Sequence, residues 1–263
     1  KGDIAPHIDA PQQALAYALA GACTISTLTE PKWFKGSLED LAGVRSALEG
    51  AGLSPGVCVL RKDFLIDEYQ LLEARAYGAD TALLIVAVLE PHELKSLMAA
   101  SRALGMEPLV EVNTTDEMTV ALECGARVIG VNNRNLHTFE VDMGTTARIS
   151  AMLPVNDPPL LLALSGVATR DDALELHKVG AAGVLVGESL MRAPSPGLLL
   201  RSLLGLPPLQ AMCKVCGLRD AEAASCAAAS GADLLGMIFA PSKRQVSDEE
   251  GAAIVAAVRA AQE

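Results

Sequence analysis

The chain is long enough and apolar enough to fold around a core of its own. Its 263 residues are 51% hydrophobic, which permits one large α/β domain or two small ones without metals or disulfides as the main source of stability. The formal net charge of −11 and the pI of 4.9 disfavour non-specific binding to nucleic acid or to an anionic membrane. An anionic substrate would therefore need a local positive pocket.

One local pattern recurs along the chain: an alanine-rich amphipathic segment ends in glycine, and a short apolar run follows. Glycine just past a helix end is the expected left-handed cap, so each repeat predicts a helix and then a strand. The glycines are Gly21, Gly52, Gly78, Gly105, Gly125, Gly180 and Gly231. The predicted strands are Cys23–Leu28, Val57–Leu60, Thr81–Val86, Pro108–Val112, Val128–Asn132, Leu160–Leu164, Val184–Gly187 and Leu234–Phe239, with Met212–Cys216 as a further candidate.

Helix signals fill the spaces between these strands. Thr169-Arg-Asp-Asp172 resembles a capping box ahead of a helix over Ala173–Val179, and Asp67–Tyr77 and Glu90–Leu104 have helical apolar spacing. Helices alternating with strands at this spacing predict parallel βαβ units, and about 250 residues is typical of a (β/α)8 barrel. Gly205-Leu206-Pro207-Pro208 marks the clearest boundary. We therefore predict one domain over residues 1–205 and another over residues 206–263, where the rhythm restarts as strand, helix, strand, helix.

The stretch Val57–Phe64 carries the first candidate for chemistry. A short apolar run ends in Arg61-Lys62-Asp63, as expected of a parallel strand whose C-terminal end opens onto solvent or a ligand. Because side chains alternate along a strand, Cys58, Leu60 and Lys62 share one face. If that face points into a barrel, Lys62 is partly desolvated and can donate a proton or hold an anion. The alternative is a lysine that ends a strand and points to water.

The C-terminal ends of the other strands are polar or carry glycine, where a parallel barrel places its active site. Glu111 lies within an apolar strand, which is costly without a partner, and Lys62 could share its pocket as acid and base. Backbone amides at Gly166 and Gly187 could hold a phosphate. A structural salt bridge for Glu111 and turn geometry for the glycines are the alternatives. The remaining strand-end residues considered are Asn132, Arg134, Ser165 and Glu188.

Other sequence features point away from metals and membranes. His7, His92, His137 and His177 have no metal-ligand spacing, so we expect no metal site. Cys213-Lys-Val-Cys216 fits a redox or zinc C-x-x-C, but on a strand the two sulfurs face opposite ways. No apolar run reaches transmembrane length. The six cysteines lie mostly in apolar runs and are predicted to be reduced core residues of a cytoplasmic protein.

Four long motifs in the right order resemble the indole-3-glycerol-phosphate synthase family, over residues 1 to about 204. The motifs are Arg61-Lys-Asp-Phe64, Leu109-Val-Glu-Val-Asn113, Gly130-Val-Asn-Asn-Arg-Asn-Leu136 and Val186-Gly-Glu-Ser-Leu-Met191. The resemblance implies a cofactor-free lyase of tryptophan biosynthesis. Its substrate would be a sugar phosphate, 1-(2-carboxyphenylamino)-1-deoxyribulose 5-phosphate, which the family decarboxylates and cyclises to indole-3-glycerol phosphate.

The same resemblance implies a role for each candidate residue. Lys62 would be the general acid that assists loss of the substrate hydroxyl, and Glu111 its catalytic carboxylate partner. Asn132 would hold substrate hydroxyls and Arg134 would lie near the carboxylate end. The family's phosphate-binding loops fall on Ser165, Gly166, Gly187 and Glu188.

Residues 212–247 resemble the start of phosphoribosylanthranilate isomerase, with Cys216 at the position of its general base. The tandem resembles multifunctional tryptophan enzymes, in which anthranilate synthase units are fused or associated partners. The isomerase family's acid lies later in its barrel than this chain extends. Isomerase activity, or a catalytically impaired barrel serving as a scaffold, are the alternative functions.

Two departures from the synthase pattern lead to further expectations. Only Lys1-Gly2 matches the end of the family's first-strand motif, so we expect a barrel lacking its first strand, an N-terminus that lies upstream, and severely reduced activity. Leu164 stands where many members have glutamate, which puts one substrate hydrogen bond in doubt. The open barrel edge predicts that Cys213–Cys216 pairs beside Val184–Gly187 and meets Cys23–Leu28.

Overall fold

The computed structural model describes residues 4, 8–135, 138–208 and 213–260. The chain separates into two units, Lys1–Pro208 and Leu209–Glu263, which are here called the first unit and the second unit. His7, His137, Lys1-Gly2 and Met212 lie outside the described residues. Among the described residues, no helix has both the length and the apolar character needed to cross a bilayer.

Seven parallel strands form the sheet of the first unit, and they follow one another in chain order. Each strand pairs only with its neighbours in sequence, as expected when every crossover carries a helix. This curled α/β sheet confirms the predicted succession of βα units. The strands are β1 (Thr24–Leu28), β2 (Cys58–Lys62), β3 (Thr81–Ile85), β4 (Leu109–Val112), β5 (Val128–Asn132), β6 (Leu160–Leu164) and β7 (Gly183–Leu185).

Helices cover the sheet, and local capping signals set their ends. The capping box at Thr169 and Asp172 is present, and every glycine predicted as a helix cap has a positive φ. The helices of the first unit are α1 (Ala10–Ala20), α2 (Leu38–Gly50), α3 (Glu68–Ala76), α4 (Pro91–Ala103), α5 (Thr115–Glu123), α6 (Gly144–Ser150), α7 (Arg170–Lys178), α8 (Glu188–Arg192) and α9 (Pro196–Leu204), with a 3-10 turn at Val86–Val88.

The two faces of the sheet bury separate sets of side chains. The larger cluster lies on the face that packs against the helices, and it includes Val59, Leu84 and Val110. A smaller cluster, containing Leu60 and Leu109, lies on the opposite, inner face. Alternation along each strand therefore directs the residue two positions beyond Leu60 or Leu109 to the inner face, above a packed apolar layer.

The second unit repeats the strand–helix pattern on a smaller scale. It contains β8 (Lys214–Cys216), α10 (Ala221–Ala229), β9 (Leu234–Gly236) and α11 (Asp248–Ala260). The predicted pairing of Cys213–Cys216 with Val184–Gly187 is wrong, because β8 pairs in parallel with β9 in a two-stranded sheet of its own. The crossover through α10 brings β9 beside β8 over a short chain segment, so this pairing closes a shorter loop than the predicted one.

The cysteines are partly different from the prediction. All six are free thiols, but Cys23, Cys213, Cys216 and Cys226 are exposed instead of belonging to the core. Cys58 is half-buried on β2, and its burial, followed by the nearby Asp80 and Cys23, raises the pKa of the thiol. Short alanine-rich elements leave little apolar cover above their small side chains, which accounts for the exposed positions in the second unit.

Candidate active site

Three of the predicted side chains meet at the C-terminal ends of β2, β4 and β5. The Nζ of Lys62 lies 3.8 Å from Oε2 of Glu111, and Nδ2 of Asn132 donates to Oε1 of Glu111 over 2.9 Å. Lys62 and Glu111 lie two residues beyond Leu60 and Leu109 of the inner apolar layer. Asn132 lies two residues beyond Gly130, on which a Cβ would meet Leu109 and Leu164. An ammonium and a carboxylate therefore face each other at the end of the sheet where parallel α/β folds bind their ligands.

Burial makes the carboxylate the less solvated member of this pair. The side chain of Glu111 is 3% exposed, whereas that of Lys62 is 33% exposed. Among the described residues, Oε2 of Glu111 has no hydrogen-bond partner. A buried carboxylate oxygen in this state is costly, and the adjacent ammonium offsets only part of that cost at 3.8 Å. The arrangement is suited to receiving a further donor from a ligand.

Arg61 fixes the end of β2 from the opposite face of the strand. Its guanidinium is 4% exposed and donates to the carbonyl of Gln70 over 2.8 Å and to Glu73 over 2.9 Å, both on α3. It also donates to Oγ1 of Thr29, just beyond β1, over 3.1 Å. Lys62 is the last residue of β2, whose end is thus bonded to α3 and to the residue after β1. These bonds restrict the positions that the ammonium group of Lys62 can reach.

Arg134 and Glu188 form a second charged group beside Asn132. The backbone N–H of Arg134 donates to Oδ1 of Asn132 over 3.0 Å, and its guanidinium lies 3.2 Å from Oε2 of Glu188. The other oxygen of Glu188 accepts from Arg192 over 3.2 Å. A carboxylate repels a phosphate, so the side chain of Glu188 is suited to holding the two arginines, and only its backbone N–H is suited to a phosphate.

The loop after β6 contains Ser165 and Gly166, both with left-handed backbone conformations of φ +67° and φ +86°. A Cβ at Gly166 would lie 2.5 Å from Sδ of Met143, so packing as well as φ requires glycine there. Gly187 is different, since its φ is −121° and nothing lies within 4 Å of a Cβ placed on it. Its backbone is therefore open to an approaching ligand.

Residues 1–203 match the family described as indole-3-glycerol phosphate synthase. The chain belongs to this family. It is 45% identical over 205 residues to the indole-3-glycerol phosphate synthase of Roseiflexus sp. (strain RS-1). The aligned residues cover 78% of this chain and 76% of that protein. The family match confirms the predicted synthase, a decarboxylating lyase, over the same part of the chain that carries the resembling motifs.

Relatives with longer chains extend the similarity into the second unit. The chain is 52% identical over 268 residues to the multifunctional tryptophan biosynthesis protein of Phanerodontia chrysosporium, covering 98% of this chain and 34% of that protein. A protein of the same name from Schizosaccharomyces pombe is 51% identical over 256 residues, covering 94% of this chain and 33% of that protein. The chain thus spans about a third of the length of these relatives.

Solved structures resemble this chain in fold at low sequence identity. The crystal structure of a 3-hexulose-6-phosphate synthase aligns with a TM-score of 0.59 and 15% identity over 74% of this chain and 92% of that chain. This likeness concerns the fold alone.

The candidate site also contains residues that the sequence patterns did not single out. Asn133 is 1% exposed and joins the end of β5 to Ser165 and to Thr146 on α6. Asn113 donates from its Nδ2 to the carbonyl of Asn132 over 2.6 Å. The buried, structural position of Arg61 could have been predicted from strand alternation, because alternation places this side chain on the helix-covered face, opposite Lys62. Cys216 ends β8 in the second unit, and its catalytic role stays a prediction.

Proposed function

We propose that this chain decarboxylates and cyclises 1-(2-carboxyphenylamino)-1-deoxyribulose 5-phosphate to indole-3-glycerol phosphate. The observation that carries the proposal is the cluster of Lys62, Glu111 and Asn132 at the strand ends of a chain in the synthase family. The substrate carries an aryl carboxylate and a phosphate, so both ends are anionic. The cations Lys62 and Arg134 would supply the local positive charge that an anionic substrate needs on an acidic protein.

Lys62 and Glu111 would manage the protons of the reaction. A carbon–carbon bond forms between the substrate's keto carbon and the ring carbon that bears the carboxylate, and carbon dioxide leaves that ring carbon. The former keto oxygen takes one proton as the ring closes and a second as it departs as water, and the neighbouring methylene carbon loses a proton to complete the indole ring. Lys62 would supply protons to that oxygen, and Glu111, 3.8 Å from the ammonium, would hold it and accept the proton lost as the indole ring forms.

The remaining site residues would bind the two ends of the substrate. Asn132, held by Glu111, would contact substrate hydroxyls, and Arg134 would approach the aryl carboxylate. The backbone of Ser165, Gly166 and Gly187 would hold the phosphate through N–H groups. The open space around Gly187 supports this part of the proposal, because a bulky phosphate needs close access to the main chain.

The direct test supplies the carboxyphenylamino-deoxyribulose phosphate and follows the rise of indole fluorescence. We expect product above the uncatalysed rate, and Glu111→Gln to lower that rate about 100-fold or more, since an amide cannot accept the proton. Glu175→Gln is the matched control, because Glu175 pairs with Lys178 at 2.6 Å on the surface of α7. No product from the wild-type chain, or equal rates for Glu111→Gln and wild type, would contradict the proposal.

For the second unit we propose an N-terminal fragment of phosphoribosylanthranilate isomerase, with Cys216 as its general base. The βαβα order of this unit and the multifunctional names of the longer relatives support the assignment. Fused or associated anthranilate synthase units and a cytoplasmic location belong to the same proposal, the latter supported by six free thiols. Turnover of phosphoribosylanthranilate by this chain, abolished by Cys216→Ser, would show that the fragment acts without further strands.

A further inference from the structure

The side chain of Asn133 bridges two segments of the first unit that are distant in sequence. Its Nδ2 donates to the carbonyl of Ser165 over 3.3 Å, while its Oδ1 accepts from the N–H and the hydroxyl of Thr146 over 3.2 Å and 2.8 Å. The residue is 1% exposed. A carboxamide is the side chain that can donate in one direction and accept in the other at this size, so both halves of Asn133 are used.

The backbone of Asn133 strengthens the same connection. Its N–H donates to the carbonyl of Leu164 over 2.9 Å, and its carbonyl accepts from the N–H of Asp142 over 2.8 Å. The two carbonyls on either side of Ser165 Cα, those of Leu164 and Ser165, are therefore both held by Asn133. Ser165 is a non-glycine residue at φ +67°, a conformation that persists when its surroundings determine it.

Because the carbonyl of Ser165 is held by Asn133, peptide geometry also fixes the direction of the N–H of Gly166. The peptide between Ser165 and Gly166 is planar and trans, so its N–H points opposite to its carbonyl. The carbonyl points at the buried Asn133, and the N–H of Gly166 must then point away from the buried amide. A Cβ on Gly166 would meet Met143 and Val141, which belong to the same segment as Asp142, and Sδ of Met143 also lies 3.8 Å from Nδ2 of Asn133. The segment that binds Asn133 therefore also packs against Gly166.

We infer that Asn133 is a positioning residue that aims the Gly166 N–H at the phosphate of the substrate. The inference rests on the proposed function, because it concerns the phosphate of that same site. Asn133 acts only through Ser165 and Gly166 and does not itself touch the ligand. Losing the donor should therefore weaken the recognition of phosphate and leave the recognition of the aryl end unchanged.

The test compares two ligands that cannot cyclise. Both are substrate analogues in which the ketone is reduced to an alcohol, one with the 5-phosphate and one without it, and calorimetry gives the ratio of their dissociation constants. In Asn133→Asp the donor to Ser165 is replaced by a second acceptor that repels the carbonyl. We expect the affinity for the phosphorylated analogue to fall about tenfold, and that for the dephosphorylated analogue to change less than twofold.

Thr146→Val is the matched control, since it removes one bond at the acceptor end of Asn133 and leaves the donor to Ser165 in place. We expect it to lower Tm without changing the ratio. Should Asn133→Asp fail to fold, Asn133→Ser removes the reach to Ser165 without adding charge, and the same ratio is measured. A folded Asn133 variant that keeps the wild-type phosphate preference overturns the inference and leaves the proposed function standing. A wild-type chain without any phosphate preference overturns both.

Discussion

Two adjacent cations at the end of β2 differ completely in their surroundings. Arg61 faces the helices, is 4% exposed and donates to Thr29, Asp63, Gln70 and Glu73. Lys62 faces the inner side, is 33% exposed and lies 3.8 Å from the single carboxylate of Glu111. Arg61 therefore has its partners within the protein, whereas the carboxylate that faces Lys62 keeps one oxygen without a hydrogen-bond partner among the described residues and has capacity for a ligand. The difference distinguishes a residue that stabilises the fold from one that is proposed to perform chemistry.

Replacing Lys62 should give the largest loss of activity with little loss of stability. Lys62→Met removes the proton donor, so we expect product formation to fall about 1,000-fold. Because the ion pair with Glu111 is long at 3.8 Å and Asn132 still donates to that carboxylate, we expect the free energy of unfolding to fall by only about 1 kcal/mol. Indole fluorescence and urea denaturation measure the two quantities. Lys178→Met on α7 is the control for loss of a lysine. The contrast between the faces would fail if Lys62→Met unfolded the chain.

Replacing Arg61 should reverse that pattern. Arg61→Met leaves the carboxylates of Asp63 and Glu73 without their buried cation, which costs about 3 kcal/mol of unfolding free energy. Urea denaturation should detect this loss, and folded protein below the transition should keep activity within about tenfold of wild type. A variant with normal stability would mean that the buried network contributes little.

The two glycines of the proposed phosphate site, Gly166 and Gly187, should respond differently to the same substitution. Gly166→Ala should destabilise the chain by about 2 kcal/mol, because φ is +86° and the new methyl would meet Met143. Gly187→Ala should change stability by less than about 0.5 kcal/mol, since φ is −121° and the space is open. We expect Gly187→Ala to weaken binding of the phosphorylated analogue instead. Equal Tm losses for the two variants would contradict the different packing described for them.

The smallest effect concerns Asp172, whose carboxylate caps α7 on the helix-covered side. Hydrogen bonds from the backbone N–H of Ala168, and also from that of Thr169, lower the pKa of Asp172. A lowered pKa means that the carboxylate stabilises the fold above its unfolded pKa, and that this contribution disappears as pH falls through the folded pKa. Asp172→Asn should therefore cost up to about 1 kcal/mol at pH 7 and less at an acidic pH below the unfolded pKa of the carboxyl group. Thermal unfolding at both pH values tests this, and equal Tm losses would refute it.

Local signals in the sequence were sufficient for the order of elements and for the main pair of the site. The apolar strand runs, the glycine caps and the capping box at Thr169 predicted the βα succession that the structure contains. Strand alternation placed Lys62 and Glu111 on one face, and the synthase motifs named both. These features depend on neighbours in sequence or on the common direction of parallel strands.

Features that depend on distant partners were not predicted. Asn133 was passed over because its role arises from Ser165 and Thr146, whose approach the sequence does not specify. Arg61 was read as part of a charged strand end, although Glu73 on the next helix holds it in the interior. The pairing of Cys213–Cys216 was wrong because it assumed a need to cover the barrel edge, whereas β9 provided a nearer partner.

Glu188 gives the proposed site a way to exchange one counterion for another. Each of its two carboxylate oxygens is bound to a different guanidinium, that of Arg134 or that of Arg192. An arriving anion that draws Arg134 toward itself still leaves the glutamate tethered to Arg192. The carboxylate of Glu188 therefore keeps one cationic partner while Arg134 binds the anion. Ligand binding and release should thus require little rearrangement of the side chains around Glu188.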